Sequence, residues 1–201
     1  MHLAMGAALR TRLAVLFLLF PMPVWLAVLG PLAVFADEQE AEVSVDQDDH
    51  WATYRLLTGA WEGQLDDRLG QGSGQRKYEL IFDDQFLIGW HASVRLPQEQ
   101  SPNGDFHREL SIYSIDFGRN TVVLRQFLIE GFVLQFTCDS KPMRLVCVSE
   151  SIENGPEMRA RLTIEFENKY RFSEKFELAG PGEDLQLLTA ITFTRVPSLE
   201  M

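Results

Sequence analysis

The sequence predicts an all-β protein: one antiparallel up-and-down barrel of about eight to ten strands, entered through a short N-terminal helix. Three observations predict it. From Trp61 onward, apolar residues recur with period two rather than the 3.6 of a helix. Turn signals separate these alternating runs at hairpin spacing. Runs as long as 86–96 have no exposed edge only if the sheet closes on itself. A chain of 201 residues holds one such domain and a leader, but not two comfortable domains.

The elements follow in order. Arg10 and Arg12 precede an uncharged apolar run over 13–35, then Val34-Phe35-Ala36 and the acidic pair Asp37-Glu38. Basic, apolar, small, acidic is the order of a cleavable secretory signal peptide, which places residues 1–36 in the leader. The alternative is an uncleaved anchor, since 23 apolar residues can span a bilayer; Pro21, Pro23 and Pro31 interrupt its helical hydrogen bonding. Residues 37–49 are acidic, lack aromatics and have no periodicity, so they read as a flexible linker to a barrel domain over 50–201. Asp48 or Asp49 caps a short helix with Trp51, Tyr54 and Leu57 on one side, ended by Gly59.

Strand signals start at Trp61, Gly63 and Leu65. Gly70-Gln71-Gly72-Ser73-Gly74 reads as a mobile connecting loop, and not as a phosphate loop, because a strand rather than a helix follows it. Tyr78 and Leu80 alternate with charged neighbours up to the turn at Asp83-Asp84. Next comes the long set Phe86, Ile88, Trp90, Ala92, Val94 and Leu96, opposite Leu87, Gly89, His91, Ser93 and Arg95. A polar loop over 97–105, a run over 106–117, a turn at Gly118-Arg119-Asn120 and a run over 121–129 follow. Phe132, Leu134, Phe136 and Cys138 share a face. The clearest alternation is Met158, Ala160, Leu162, Ile164 and Phe166 against Arg159, Arg161, Thr163, Glu165 and Glu167. Asn168-Lys169 turns into Tyr170, Phe172, Phe176 and Leu178, and a last strand covers 185–196.

Charge narrows the partners. Loss of residues 1–36 takes the formal charge from −11 to −13, because the leader carries two arginines and no acid. An acidic body repels phosphate backbones and anionic headgroups, so nucleic acid is excluded and membrane contact is expected only through an uncleaved leader. Cys138 and Cys147 flank a turn-rich hairpin tip near Pro142, where they would face each other, and export permits a disulfide between them. Their spacing is not that of a redox Cys-x-x-Cys.

The opening Leu57-Thr58-Gly59-Ala60-Trp61-Glu62-Gly63 resembles the Gly-x-Trp-x-Gly start of calycin-superfamily barrels, the group of lipocalins and fatty-acid-binding proteins. The layout over 51–196 is similar to uncharacterised lipocalin-like bacterial proteins of the nitrobindin-like type, through that tryptophan, the strand end Tyr113-Ser114-Ile115-Asp116 and the closing Thr192-Phe193-Thr194-Arg195. The resemblance implies that Trp61 plugs the closed end of the barrel with Arg195 packed on it, a cation–π pair. It also implies that the Gly70 to Gly74 segment stands at the open mouth. Nitrobindin-like proteins carry a Tyr-Pro-Thr-Ile segment and a histidine near the C-terminus. This chain has neither, and its last histidine is His107, so haem is not expected and no cofactor is assigned.

Candidate site residues come from polar positions inside apolar alternations. Glu174 falls with Phe172 and Phe176, Arg108 with Phe106 and Leu110, and Gln126 with Leu124 and Leu128. As inward residues these three form the polar floor of an apolar cavity, with Trp90 and Phe136 on its walls; Arg108 then clamps a ligand carboxylate or pairs with Glu174. For Glu174 the other reading is a bulge that turns it outward. His91, opposite Trp90, reads as a surface residue, and His107 as either. No two mature histidines have metal-ligand spacing and no serine sits in a nucleophile elbow, so no metal or catalytic residue is assigned. The sequence thus points to an exported, periplasmic or secreted carrier of a small apolar or amphipathic molecule. The alternatives are a filled structural barrel of the envelope and an isomerase or hydrolase using the polar trio.

Overall fold

Ten alternating runs become ten antiparallel strands in a computed structural model, which describes residues 49–67 and 70–198. They are β1 (Gly59–Asp67), β2 (Gly70–Ile81), β3 (Phe86–Arg95), β4 (Asp105–Asp116), β5 (Thr121–Leu128), β6 (Val133–Lys141), β7 (Arg144–Glu153), β8 (Arg159–Asn168), β9 (Arg171–Ala179) and β10 (Gln186–Val196). Each strand pairs with its neighbours in sequence, and β1 pairs with β10, so the sheet is a closed up-and-down barrel without a free edge. The expected signal peptide and nearly all of the expected linker lie outside the described residues.

The glycine-rich segment 70–74 is strand and not loop. It is the first half of β2, matched residue for residue from Asp67↔Gly70 to Gly63↔Gly74. Glycine suits it because β1, β2 and β10 crowd together here. A Cβ at Gly63 would lie 2.7 Å from the Thr192 carbonyl oxygen and 2.6 Å from Ile191.

One end of the barrel is sealed. Turns over 50–53 lead into a single 3₁₀ turn, Tyr54–Leu56, which carries the buried side chains Trp51, Tyr54 and Leu57 onto the core. Asp49 starts it by accepting the Trp51 backbone N–H at 3.1 Å and pairing with Arg55. Tyr54 meets Tyr113 edge-on at 5.6 Å, and the Thr53 hydroxyl donates to the Lys141 carbonyl at 3.1 Å. Trp61 is fully buried, packs edge-on against Phe172 at 4.7 Å and donates its indole N–H to the Leu57 carbonyl at 2.6 Å. The Arg195 guanidinium stacks 4.1 Å above that indole and donates to the carbonyls of Leu56, Thr58 and Lys169. Gly59, at φ 109°, is required on two counts: the backbone is left-handed, and a Cβ would collide with Arg195.

The hairpin of β6 and β7 sets Cys138 directly opposite Cys147, and the two form a disulfide with Cα atoms 4.0 Å apart. It lies toward the sealed end. There Phe172 packs between Trp61, Phe166 and Phe193, and the interior is filled by aromatic and branched side chains.

Candidate functional site

Toward the other end the interior opens into a cavity of about 470 Å³. Leu65, Leu134, Leu162, Phe176, Leu178 and Ile191 form its apolar wall, and Phe132, Ile152 and Met158 stand near its mouth. The inner end is charged, and strand register explains how. On β2, β3 and β4 the pairing puts Arg76 opposite His91 and His91 opposite Glu109, so three polar residues form one row across three strands. Ser111 on β4 is likewise paired with Gln126 on β5.

Arg76 leaves that row to meet Glu174 on β9, its Nη2 donating to Oε1 at 2.8 Å, with less than a tenth of either side chain exposed. Its Nη1 donates to the carbonyls of Gln75 and Ala92, and the guanidinium sits 4.9 Å over the Phe193 ring. Burial lowers the proton affinity of Arg76, but Glu174, with Tyr78 and Glu109, more than restores it, so the arginine is held charged. Glu109 is the hub of a second group. Its Oε1 faces His91 Nδ1 at 2.5 Å and accepts from Gln126 at 2.7 Å and Ser111 at 3.2 Å. Its other oxygen faces His107 at 3.5 Å, and the second ring nitrogen of His107 meets Glu130 at 2.9 Å. Burial pushes the Glu109 carboxyl up, yet His91, His107 and Arg76 together hold it well below the usual range. The hydrogen bond to Glu109 and, against the burial that lowers it, the one to Glu130 raise His107 to about 9. Nearer the mouth, Arg95 joins Asp67 at 2.6 Å and Asp105 at 3.2 Å.

Seven buried side-chain polar atoms among the described residues have no hydrogen-bond partner: Glu174 Oε2, His91 Nε2, Arg76 Nε and Arg95 Nε around the cavity, and the hydroxyls of Tyr54, Tyr78 and Tyr113. Among the described residues no group of three or more His, Cys, Asp or Glu side chains is disposed to hold a metal ion.

The structure divides the candidate residues. Gln126 and Glu174 are both buried and both line the cavity, so the alternation around Glu174 places it inward. Arg108 does not join them. It points out of the barrel, exposed, 5.1 Å over the exposed Phe106 ring, so it clamps no ligand in this cavity. Trp90 also faces outward, with Lys77 5.5 Å over its ring, and is no wall of the cavity. Both errors have one cause. In β3 and β4 the apolar set of the alternation lies outside and the polar set inside, so His91, expected at the surface, is 4% exposed. Register fixes this arrangement, because turning β3 over would strand Glu109 without His91. Phe136 is fully buried but fills the core beyond the cavity. Arg76, Glu109, His107 and Arg95 were missed as site residues. For Arg76 a signal existed, since it stands two residues before Tyr78 and so shares its face.

No family model matches the chain, and no curated protein matches it. Among solved structures, the crystal structure of Rv2717c from M. tuberculosis resembles it with a TM-score of 0.52 at 15% identity, over 74% of this chain and 98% of that one. At such identity the likeness is one of fold: a closed antiparallel β-barrel is what the two have in common.

Proposed function

We propose that this protein is an exported carrier of a small amphipathic molecule, a calycin-type barrel with residues 1–36 as its leader and 37–49 as its linker. One observation carries the reading: an apolar cavity of about 470 Å³ that ends on a buried ionic group, with Glu174, Arg76, Glu109 and Gln126 at its lining. A volume of this order suits a small ligand, and buried charges that are partly unpartnered are costly to keep in a purely structural core. A filled barrel needs neither. The opening Gly59 to Gly63 motif with Arg195 stacked on Trp61 supports the calycin assignment. The Cys138–Cys147 disulfide and the order of the leader both favour an oxidising compartment outside the cytoplasm.

Native mass spectrometry of the protein recovered from its own cell envelope tests this. A bound small molecule, released when Leu162→Trp fills the cavity, is the expected result. A mass equal to that of the bare polypeptide overturns the carrier reading.

A further inference from the structure

We infer that the ligand of the cavity carries a hydrogen-bond-donating, cationic head group, an alkyl or aryl amine, held by the free oxygen of Glu174. The inference rests on the carrier reading above and narrows it to a ligand class. Four acids line the cavity, Asp105, Glu109, Glu130 and Glu174, against two arginines, Arg76 and Arg95. His107 adds a third positive charge and still leaves the lining one negative charge in excess.

The distribution of free donors and acceptors says more than the count. Both arginines are already committed. Arg76 spends Nη1 on two backbone carbonyls and Nη2 on Glu174; Arg95 spends its two terminal nitrogens on Asp105 and Asp67. Arg76 keeps its Nε–H and one N–H of Nη2, and Arg95 its Nε–H and one N–H on each terminal nitrogen, every one of them on a guanidinium that already holds a carboxylate. A ligand carboxylate seeking Arg76 would therefore have to settle beside Glu174, 2.8 Å from that guanidinium, and like charges repel most strongly where water is excluded. Glu109 has contacts on both oxygens, with His91, Gln126 and Ser111 on one and His107, at 3.5 Å, on the other. Glu174 is different. Oε1 takes Arg76, whereas Oε2 lies buried with no partner in a residue only 7% exposed that lines the cavity. An ammonium group placed there completes the acceptor, while its chain lies along Leu65, Phe176 and Ile191.

The test is calorimetric titration of the protein with dodecylamine, dodecanol and dodecanoate, each below its micellar range, in about 0.15 M salt so that the acidic surface is screened beyond roughly 8 Å. The expected order is amine, then alcohol, then carboxylate, with the amine at least about tenfold tighter than the carboxylate. Glu174→Gln should bring the amine down to the level of the alcohol. Equal or tighter binding of dodecanoate overturns the head-group assignment and leaves the carrier standing. Failure of all three probes to bind counts against the carrier reading itself. A folded Glu174→Gln variant that keeps the amine preference removes Glu174 from the role. If that variant does not fold, the order of the three probes on the unaltered chain decides.

Discussion

Strands β3 and β8 are equally long, yet they are built the opposite way round. In β8 the inward residues Ala160, Leu162, Ile164 and Phe166 are apolar and buried, and Arg161 and Glu165 face out. In β3 the inward row holds Leu87, Gly89, His91 and Arg95, while Phe86, Ile88, Trp90 and Val94 face outward. The difference teaches that alternation locates a strand, whereas the partners across the barrel decide which side faces in. Around β8 the interior partners are apolar, Phe172, Phe176 and Leu178, with Glu174 opposite Ile164 as the one charge. Around β3 they are Arg76 and Glu109, and the interior is where those charges find each other.

The largest effects should separate the two regions by mechanism. Phe172→Ala, in the filled half, should cost about 3–5 kcal/mol of unfolding free energy in urea, because its three aromatic neighbours cannot collapse onto the void. Arg76→Met alone should cost about as much by leaving Glu174 buried and uncompensated. The double change Arg76→Met with Glu174→Met should recover most of that loss while destroying ligand binding. A double variant no more stable than the single one breaks the comparison, since the polar interior would then be a packing element like the other half. Replacing Cys138 and Cys147 by serine comes next, at about 2–3 kcal/mol from the short loop they close, with ligand affinity unchanged because the bridge lies toward the sealed end.

The polar half should also carry a pH signature below about 10, the usual tyrosine value, where the buried Tyr54 and Tyr113 of the filled half stay neutral. His107 is raised by Glu109 and Glu130 to about 9, so its contribution to stability is complete below about 6.5, the usual histidine value, and is lost as pH rises through about 9. Glu109 acts at the other limit. Held below the usual carboxylate range, it contributes above about 4.5 and loses that contribution as pH falls through its own lower value. Thermal unfolding between pH 6 and 10 should therefore show a falling melting temperature toward pH 10 that His107→Gln abolishes. The smallest effect should come from the outer face of β3 and β4. Phe106→Ser, at a residue half-exposed to solvent, should change stability by no more than about 0.5 kcal/mol and leave affinity unaltered.

Closure, strand count and the disulfide were legible because each depends on local signals: period two, turn residues and a hairpin tip. The pairing of Trp61 with Arg195, from the first and last strands, came only from the resemblance to calycin barrels. The faces of β8 and β9 were legible from such local signals, but for Glu174 the sequence left an inward position and an outward bulge both open, and only the structure places it inward. The site itself was only half legible. Arg76 and Glu174 are 98 residues apart, and nothing near either in sequence announces the other. In β3 the apolar set was the more hydrophobic, so assigning it to the interior followed the ordinary rule, and the rule failed where the interior holds charge. Gly70 to Gly74 misled for a further reason. Glycine marks loops by its freedom, but here it marks a place where strands approach too closely for side chains.

The plug of Trp51, Tyr54, Leu57 and Trp61 has a consequence in time as well as in space. A barrel stoppered at one end has a single doorway, so any guest of the cavity leaves by the route it came. On the proposed reading a polar head bound at Glu174 passes the rim at Phe132, Ile152 and Met158 first on entry and last on exit, giving up its hydration on the way in and its contact with Glu174 on the way out. Residence time is then governed by that rim and affinity by the inner charges, so the two can be altered independently: widening the rim speeds exchange in both directions and leaves the equilibrium where Glu174 sets it.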